Sequence, residues 1–590
     1  MATKSKTTLY KGLKLSKAKL TALAILGGIL GIYVVYQSLA ATATCTSASF
    51  YSNAITYSFD KAYPCGQFAN GDWWVAPNTG ESNVRITGIS PVFSGGQNGW
   101  EVNPSSATQQ GFDSDAPDYS ISQVPTPNTP TAGTPYIASA NQSIVKATSA
   151  PGGCGNSQGC LQTAAVLTVL GAPPPDGTGA GYLRPPYVGT VKPLIPTTQL
   201  RADLLPKKST AGLSLPSING AVSGNYDGLP RDFSRLQLDH SRGLANRNLH
   251  PVQNLADYGR DVGRQNNDAI GRLMFSDISI NFSDSTVTEG EKLLVNTVQG
   301  GLDRYYMVPM GQTWIDGGPG HNPGRKLPIL FATLMINDPT MINNVKTVPA
   351  YGNFHEDVGI QTGKNGVALW GGFDSNPGEA YYWDFISSTE PHNDDVADPY
   401  GYIDGGTHNG GIDAYQYCCT SQVWKGEALI VHLMPALQNL WQNQAPFLNY
   451  VDRWVLQGAH YQPDPCAPSS QAGGPLSGNE SPLDCVKDPD LNTLTSDPYD
   501  CQAGKLCGRF PNLNASTCAA PNSDGHGPNG DMTQYPELSD DMWYAFVSQG
   551  HCSAATAIPL PPTPTPPPPS PTPTPPPPSP TPTPPPPPPV

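Results

Sequence analysis

The spacing of apolar residues changes once along this chain, near residue 250, and that change sets the architecture. Before it, short stretches such as Ala54–Phe59, Trp73–Val75, Val84–Ile89 and Ala165–Leu170 are divided by Gly, Pro, Asn and Ser clusters. Regularly interrupted short strands predict a β-sandwich-like domain over 44–205, with the polar stretch Asn103–Pro135 as a long loop. In Asn70-Gly71-Asp72-Trp73-Trp74 a turn precedes two tryptophans. Neighbouring strand residues face opposite sides, so at most one lines the core, and the other could stack on a sugar ring or pack against another layer.

Beyond the change, Val252, Leu255, Tyr258, Val262, Asn266, Ile270 and Leu273 follow helical spacing. So do Leu293, Leu294, Val298, Leu302, Tyr305 and Tyr306 after the acidic start Glu289-Gly290-Glu291. Further helices are expected over Leu327–Asn337, Ser421–Leu440, Phe447–Leu456 and Met542–Val547. Together they make a helical domain over 206–556, interrupted by long loops at 344–416 and 457–536. Loops of that length carry function or lack order. The chain is therefore expected to be a multidomain α+β protein.

Both termini lie outside this scheme. Residues Met1–Lys19 hold six lysines and no acid; Leu20–Tyr36 is uncharged and leads to Ala41-x-Ala43. This is the pattern of a secretory signal over 1–43, with an uncleaved single membrane anchor as the alternative. Either places the remainder in an extracellular or cell-surface compartment. All twelve cysteines follow the apolar run, and their even number favours disulfides, with Cys154 and Cys160 paired around a Gly-rich loop. At the other end, Pro562 and Pro571 each begin the nonamer PTPTPPPPS. Residues 557–590 are read as a disordered polyproline tail, a stalk reaching about 100 Å in polyproline II form.

Removing the N-terminal lysines takes the formal charge from −15 to −21. No basic stripe remains to neutralise phosphates, which excludes nucleic acid as a partner. No Cys-x-x-Cys pair suggests structural zinc. Asp488, Asp490, Asp497 and Asp500 offer the hard oxygen ligands that calcium takes, although the same residues would also build a plain turn-rich loop.

The densest chemistry is Trp314-Ile315-Asp316-Gly317-Gly318-Pro319-Gly320-His321-Asn322-Pro323-Gly324-Arg325-Lys326, immediately before an apolar helix. A glycine-rich backbone can approach a ligand closely, and an acid, an imidazole, an amide and a guanidinium can converge on it. The rival reading is a solvated loop in which Asp316 caps a turn and His321 packs at the helix start. Asn353-Phe354-His355-Glu356-Asp357 is a second cluster, and Tyr415-Gln416-Tyr417-Cys418-Cys419-Thr420 a third. Asp384 and His392-Asn393-Asp394-Asp395 lie between these two.

The strings Asp316-Gly317-Gly318, His321, Gly324–Ala332, Asn70–Trp74, Arg184-Pro185-Pro186-Tyr187 and Tyr417-Cys418-Cys419-Thr420 resemble a set of uncharacterised secreted bacterial proteins across most of 60–460. Their helical part is similar to the α/α-toroid polysaccharide lyases of the alginate-lyase and heparinase type. That resemblance implies an α/α-toroid-like helical domain and cleavage of acidic glycans by β-elimination. Such chemistry needs a group to neutralise the uronate, a base and an acid. Asn322 or Arg325 would neutralise, and Tyr417 or Tyr415 with His321 or His355 would move protons. Lys326 and Trp314 would add substrate contacts. The lyases' own catalytic strings are not matched here, so the roles follow residue type. A glycoside hydrolase would instead use two carboxyls about 5–9.5 Å apart, with Asp316 and Glu356 the best pair. A non-catalytic glycan-binding or adhesion module is the third reading. The partner in all three is a polysaccharide or cell-surface glycan.

Overall fold

The computed structural model describes residues 42–105, 109–154, 159–213, 215–216, 218, 229, 233–242, 248–253, 259–282, 286–315, 319–362, 368–370, 420–442, 444–457 and 538–548. The N-terminal signal or anchor, the polyproline tail, Asp316, Asp384, the 392–395 run, Tyr415, Tyr417, the Cys418-Cys419 pair, the six cysteines between Cys466 and Cys552, and the four calcium candidates lie outside the described residues.

The chain is a mixed α+β protein with an N-terminal curled sheet and a helical region. The sheet comprises β1 (Thr44–Phe50), β2 (Ile55–Gln67), β3 (Trp73–Val75), β4 (Asn83–Ser90), β5 (Trp100–Val102), β6 (Tyr136–Ser139), β7 (Gln142–Ser149) and β8 (Leu161–Val169). Its order is β5-β7-β8-β3-β2-β4-β6, with β1 also on β2. The 13-residue β2 pairs with β4 through its first half and with β3 through its last residues. The sheet turns around this strand until its outer strands meet, where Trp100 of β5 packs edge-on against Tyr136 of β6 at 5.1 Å. Tyr57 crosses the interior to donate to the Ile144 carbonyl of β7 at 2.8 Å. One sheet curled on itself thus encloses the core expected of a sandwich.

Strands β7 and β8 are buried almost throughout, and the reason is two-sided packing. Ile144, Ala165, Leu167 and Val169 face the interior of the sheet. The alternate residues Val145, Ala147, Ala164 and Val166 face the helices. A strand covered on both faces loses the apolar–polar alternation, as these two have. Of the two adjacent tryptophans, Trp74 is fully buried and donates to the Thr178 carbonyl at 2.8 Å. Trp73 is half-buried, with its indole N–H on the Ser49 carbonyl at 3.0 Å. Disulfides join Cys45 to Cys65 and Cys154 to Cys160, with Cα separations of 6.0 and 4.2 Å.

The helices are α1 (Gly259–Arg272), α2 (Glu289–Met307), α3 (Lys326–Ile336), α4 (Pro339–Thr347), α5 (His355–Val358), α6 (Ser421–Leu433), α7 (Pro435–Gln438), α8 (Gln444–Gln457) and α9 (Leu538–Trp543). Thr288 and Glu291 form a reciprocal cap at the start of α2: Thr288 Oγ1 accepts from the Glu291 N–H, and the Glu291 carboxylate from the Thr288 N–H. The expected single helix Ser421–Leu440 is broken at Met434, because Pro435 has no N–H to continue it. Helix α4 was not expected, and its last turn enters the stretch 344–416 expected to be loop. Asp338 caps it from the side chain and Pro339 occupies its first turn. Of the helical spacing read from Val252 to Leu273, the described part forms helix over Gly259–Arg272. No helix among the described residues is long and apolar enough to cross a membrane.

An ion-pair clamp fastens the sheet to the helices. Arg184 Nε donates to Asp72 Oδ2 at 2.7 Å, while Nη1 and Nη2 reach the two Asp303 oxygens of α2 at 3.0 and 2.5 Å. Asn70 donates to the same Asp72 oxygen at 2.7 Å. All three charged side chains are at most 7% exposed. Asn70-Gly71-Asp72 and Arg184-Pro185-Pro186-Tyr187 therefore serve the junction between the two parts. Tyr187 completes it, its hydroxyl on the Gln237 carbonyl and the His240 ring, each at 3.1 Å.

Candidate functional site

The loop ending at Lys326 and the cluster beginning at Asn353 come together. Trp314 bridges to Phe354, and their rings stack at 5.6 Å and 14°. The Gly324 N–H donates to Glu356 Oε1 at 2.6 Å, and Lys326 Nζ donates to Asp357. Helix α6 closes the group from a third side, with Trp424 against the His355 ring at 5.2 Å.

The loop's glycines serve packing. Gly324 adopts φ +86°, and a Cβ there would lie 2.2 Å from the Gly263 Cα. A Cβ on Gly263 would in turn lie 2.6 Å from Val423 Cγ1 of α6. Two glycines let the loop and α1 meet backbone to backbone with the Val423 side chain of α6 against both, a contact no larger residue permits.

The loop's charges are largely spent inside the protein. Arg325 is 1% exposed; its Nη1 donates to the carbonyls of Gly259 and Pro323 at 3.0 and 2.9 Å, and Nη2 reaches Asp239 at 3.4 Å. Asp239 also binds Arg304 Nε and His250 Nε2, both at 2.7 Å. Burial alone would raise its carboxyl, but Arg325, Arg304 and His250 together hold it well below the usual range. Lys326 is enclosed by Asp357, the Gln442 carbonyl and the Trp441 ring. Burial pushes Lys326 down and Asp357 up, each shift opposed by the other's charge. Trp314 has one face covered by Phe354, and Asn322 is also buried. His321, in a single helical turn at Pro319–His321, is half-buried.

Two carboxyls stand apart from the ion pairs. Glu356 and Glu427 are at most 1% exposed and face each other, with the Leu327 backbone N–H against the Glu427 carboxyl. Burial, reinforced for Glu427 by the facing Glu356, holds both well above the usual glutamate range. Raised carboxyls favour the protonated form, which donates a proton rather than pairing with a cation. His355 behaves oppositely: burial takes its imidazole down to about 3, so it stays neutral across the physiological range.

The structure thus brings Trp314 and Lys326 of the loop against the segment that holds His355 and Glu356, while Arg325 turns to Asp239; His321 and Asn322 lie on the same loop. The remaining proposed participants Asp316, Tyr415 and Tyr417 are outside the described residues. Sequence reasoning missed Asp239, Arg304 and Glu427. Glu427 had a signal: it sits three residues after Trp424 and four before Val431, on the apolar side of α6. An acid there is anomalous. Asp239 and Arg304 had none, because ion-pair partners 65 residues apart leave no local pattern. No group of metal-ligating side chains occurs among the described residues. Comparison with known proteins finds no matching family, curated protein or solved structure.

Proposed function

We propose that this protein is an exported polysaccharide-degrading enzyme working by general acid–base catalysis, its helical region an α/α-toroid-like domain of the polysaccharide-lyase kind. The observation that carries the reading is the convergence of the 314–326 loop, the 353–357 segment and the start of α6 around the buried carboxyls of Glu356 and Glu427. A carboxyl held protonated at neutral pH can donate to a leaving glycosidic oxygen. In this scheme Glu356 is the acid, His321 on the adjoining turn is the base, and Tyr417 and Tyr415 are further proton carriers. Asn322 neutralises the uronate, because Arg325 and Lys326 are engaged with Asp239 and Asp357. His355 is a positioning residue that packs on Trp424 beside Glu356. The two disulfides accord with an oxidising, extracellular setting.

The second reading, a glycan-binding module without catalysis, is favoured by the closure of the cluster, where His321 alone among the described candidates is more than marginally exposed. A panel of acidic and neutral polysaccharides separates the readings. A lyase generates an unsaturated uronic product absorbing in the near ultraviolet, and a hydrolase generates reducing ends without it. In an active protein His321→Ala should lower turnover by roughly 10²–10⁴-fold. No product from any glycan refutes catalysis and leaves the binding module.

A further inference from the structure

Lys326 and Asp357 allow a chemistry that the glycan reading does not use. Lys326 opens α3 and is wholly enclosed. Its Nζ meets Oδ1 of Asp357, the Gln442 carbonyl at 3.1 Å and the Trp441 ring, whose centre is 4.6 Å away. The Asp357 side chain is 3% exposed, and its Oδ2 accepts from the Phe354 N–H at 3.0 Å. The fold thus holds an amine and a carboxyl, 31 residues apart in the chain, in contact and away from water.

Such a pair is ordinarily an ammonium and a carboxylate, but two features here oppose the charged form. Burial disfavours both ions, and their mutual attraction compensates poorly for lost hydration. The first turn of a helix is also the wrong end for a cation. Passing one proton from Nζ to Oδ1 turns the pair into a neutral amine, which is a nucleophile, beside a carboxylic acid. Enforced contact supplies the proximity that the same two groups lack in water. Glu356, next in the chain to Asp357, and Glu427 act electrostatically on the same amine. Facing carboxyls of this kind can take up one proton and return one.

We propose that Lys326 and Asp357 join in a self-formed amide bond, an intramolecular cross-link between α3 and α5. The Nζ lone pair attacks Asp357 Cγ, and the Phe354 N–H steadies the charge that develops on Oδ2. The Nζ–Cγ bond forms and the Cγ–Oδ1 bond breaks. Glu356 takes a proton from Nζ and passes it to Oδ1, which already carries the acid proton and leaves as water. Nothing is oxidised or reduced, no co-reactant is consumed, and Glu356 ends as it began. Oδ2 becomes the amide oxygen and keeps its bond from Phe354. The cross-link does not rest on the glycan reading: it forms once per chain, needs no sugar, and ties the 314–326 loop covalently to the 353–357 segment.

The test is mass spectrometry of the full chain after folding, reduction and trypsin digestion. Peptides 326–346 and 347–364 should appear as one branched species, lighter than their sum by one water, with no cleavage after Lys326. Lys326→Met and Asp357→Ala should each give two separate peptides. Glu356→Gln keeps the amine and the carboxyl in place and should lose the link, because its amide cannot carry the proton. Separate peptides from the folded wild type, cut after Lys326, would overturn the proposal and leave an ordinary ion pair. A complete link in Glu356→Gln would overturn the proton transfer assigned to Glu356. Should a variant fail to fold, the wild-type spectrum decides alone. The readout involves no glycan, so a linked protein that cleaves none, or an unlinked one that does, separates this proposal from the proposed function.

Discussion

His355 is the candidate whose role a stability measurement can decide. Burial takes its imidazole from 6.5 to about 3, so the folded protein keeps it neutral while the unfolded chain protonates it below 6.5. Its contribution to stability is whole above pH 6.5 and is lost as pH falls toward 3. Each pH unit in that window costs about 1.4 kcal/mol, or about 2.7 kcal/mol between pH 6.5 and 4.5. His240, lowered to about 4 by burial, adds the same kind of acid sensitivity, and buried carboxyls oppose it. Comparison with His355→Gln cancels those contributions, since the amide does not titrate. Urea unfolding of both proteins by tryptophan fluorescence should show the wild-type advantage shrinking by about 2.7 kcal/mol over the two pH units. Parallel stability curves, or an NMR titration of His355 with a midpoint near 6.5, would refute the reasoning. Either would restore His355 as a proton carrier, since an acid–base group works best with a pKa near the operating pH.

Two further outcomes test the buried charges. Arg184→Met should cost about 3–5 kcal/mol, because Asp72 and Asp303 would be left buried together without a cation, and chemical unfolding should report the loss. Glu101 is pushed up to about 8 by burial, with the Gly111 N–H donating to it at 2.6 Å. Its folded pKa lies above the unfolded one, so its contribution is whole at pH 4.5 and lost as pH rises through 8. Glu101→Gln should therefore gain on wild type by several kcal/mol between those limits, about 1.4 per pH unit. An unchanged difference would show Glu101 to be in contact with solvent.

The strands were legible where one residue in two needed burial, as in Val84–Ile89. The run Ala165–Leu170 was legible as a strand but not as a two-sided one, since continuous apolarity carries no facing information. Helix α2 could be read from its acidic start and its spacing. The break at Pro435 needed only the missing N–H of proline and was passed over because apolar residues continue beyond it. The meaning of the loop glycines was hidden. A flexible backbone near a ligand and a tight backbone crossing use the same residue, and only Gly263 and Val423 in place across from Gly324 tell them apart. The buried charges were hidden for a related reason: Arg184 meets Asp303 across 119 residues, and local sequence holds no trace of so distant a partner.

The two-faced packing of β7 and β8 bears on how this protein can be taken apart. Their outward residues lie in one continuous apolar core with the helices, and the Arg184 clamp lies beside it. Cutting the chain near residue 205 would leave the whole eight-stranded sheet with a bare oily face and a helical remnant lacking its floor. The change from strands to helices is thus a seam in secondary structure but not in cooperativity. Damage to one part is expected to be inherited by the other.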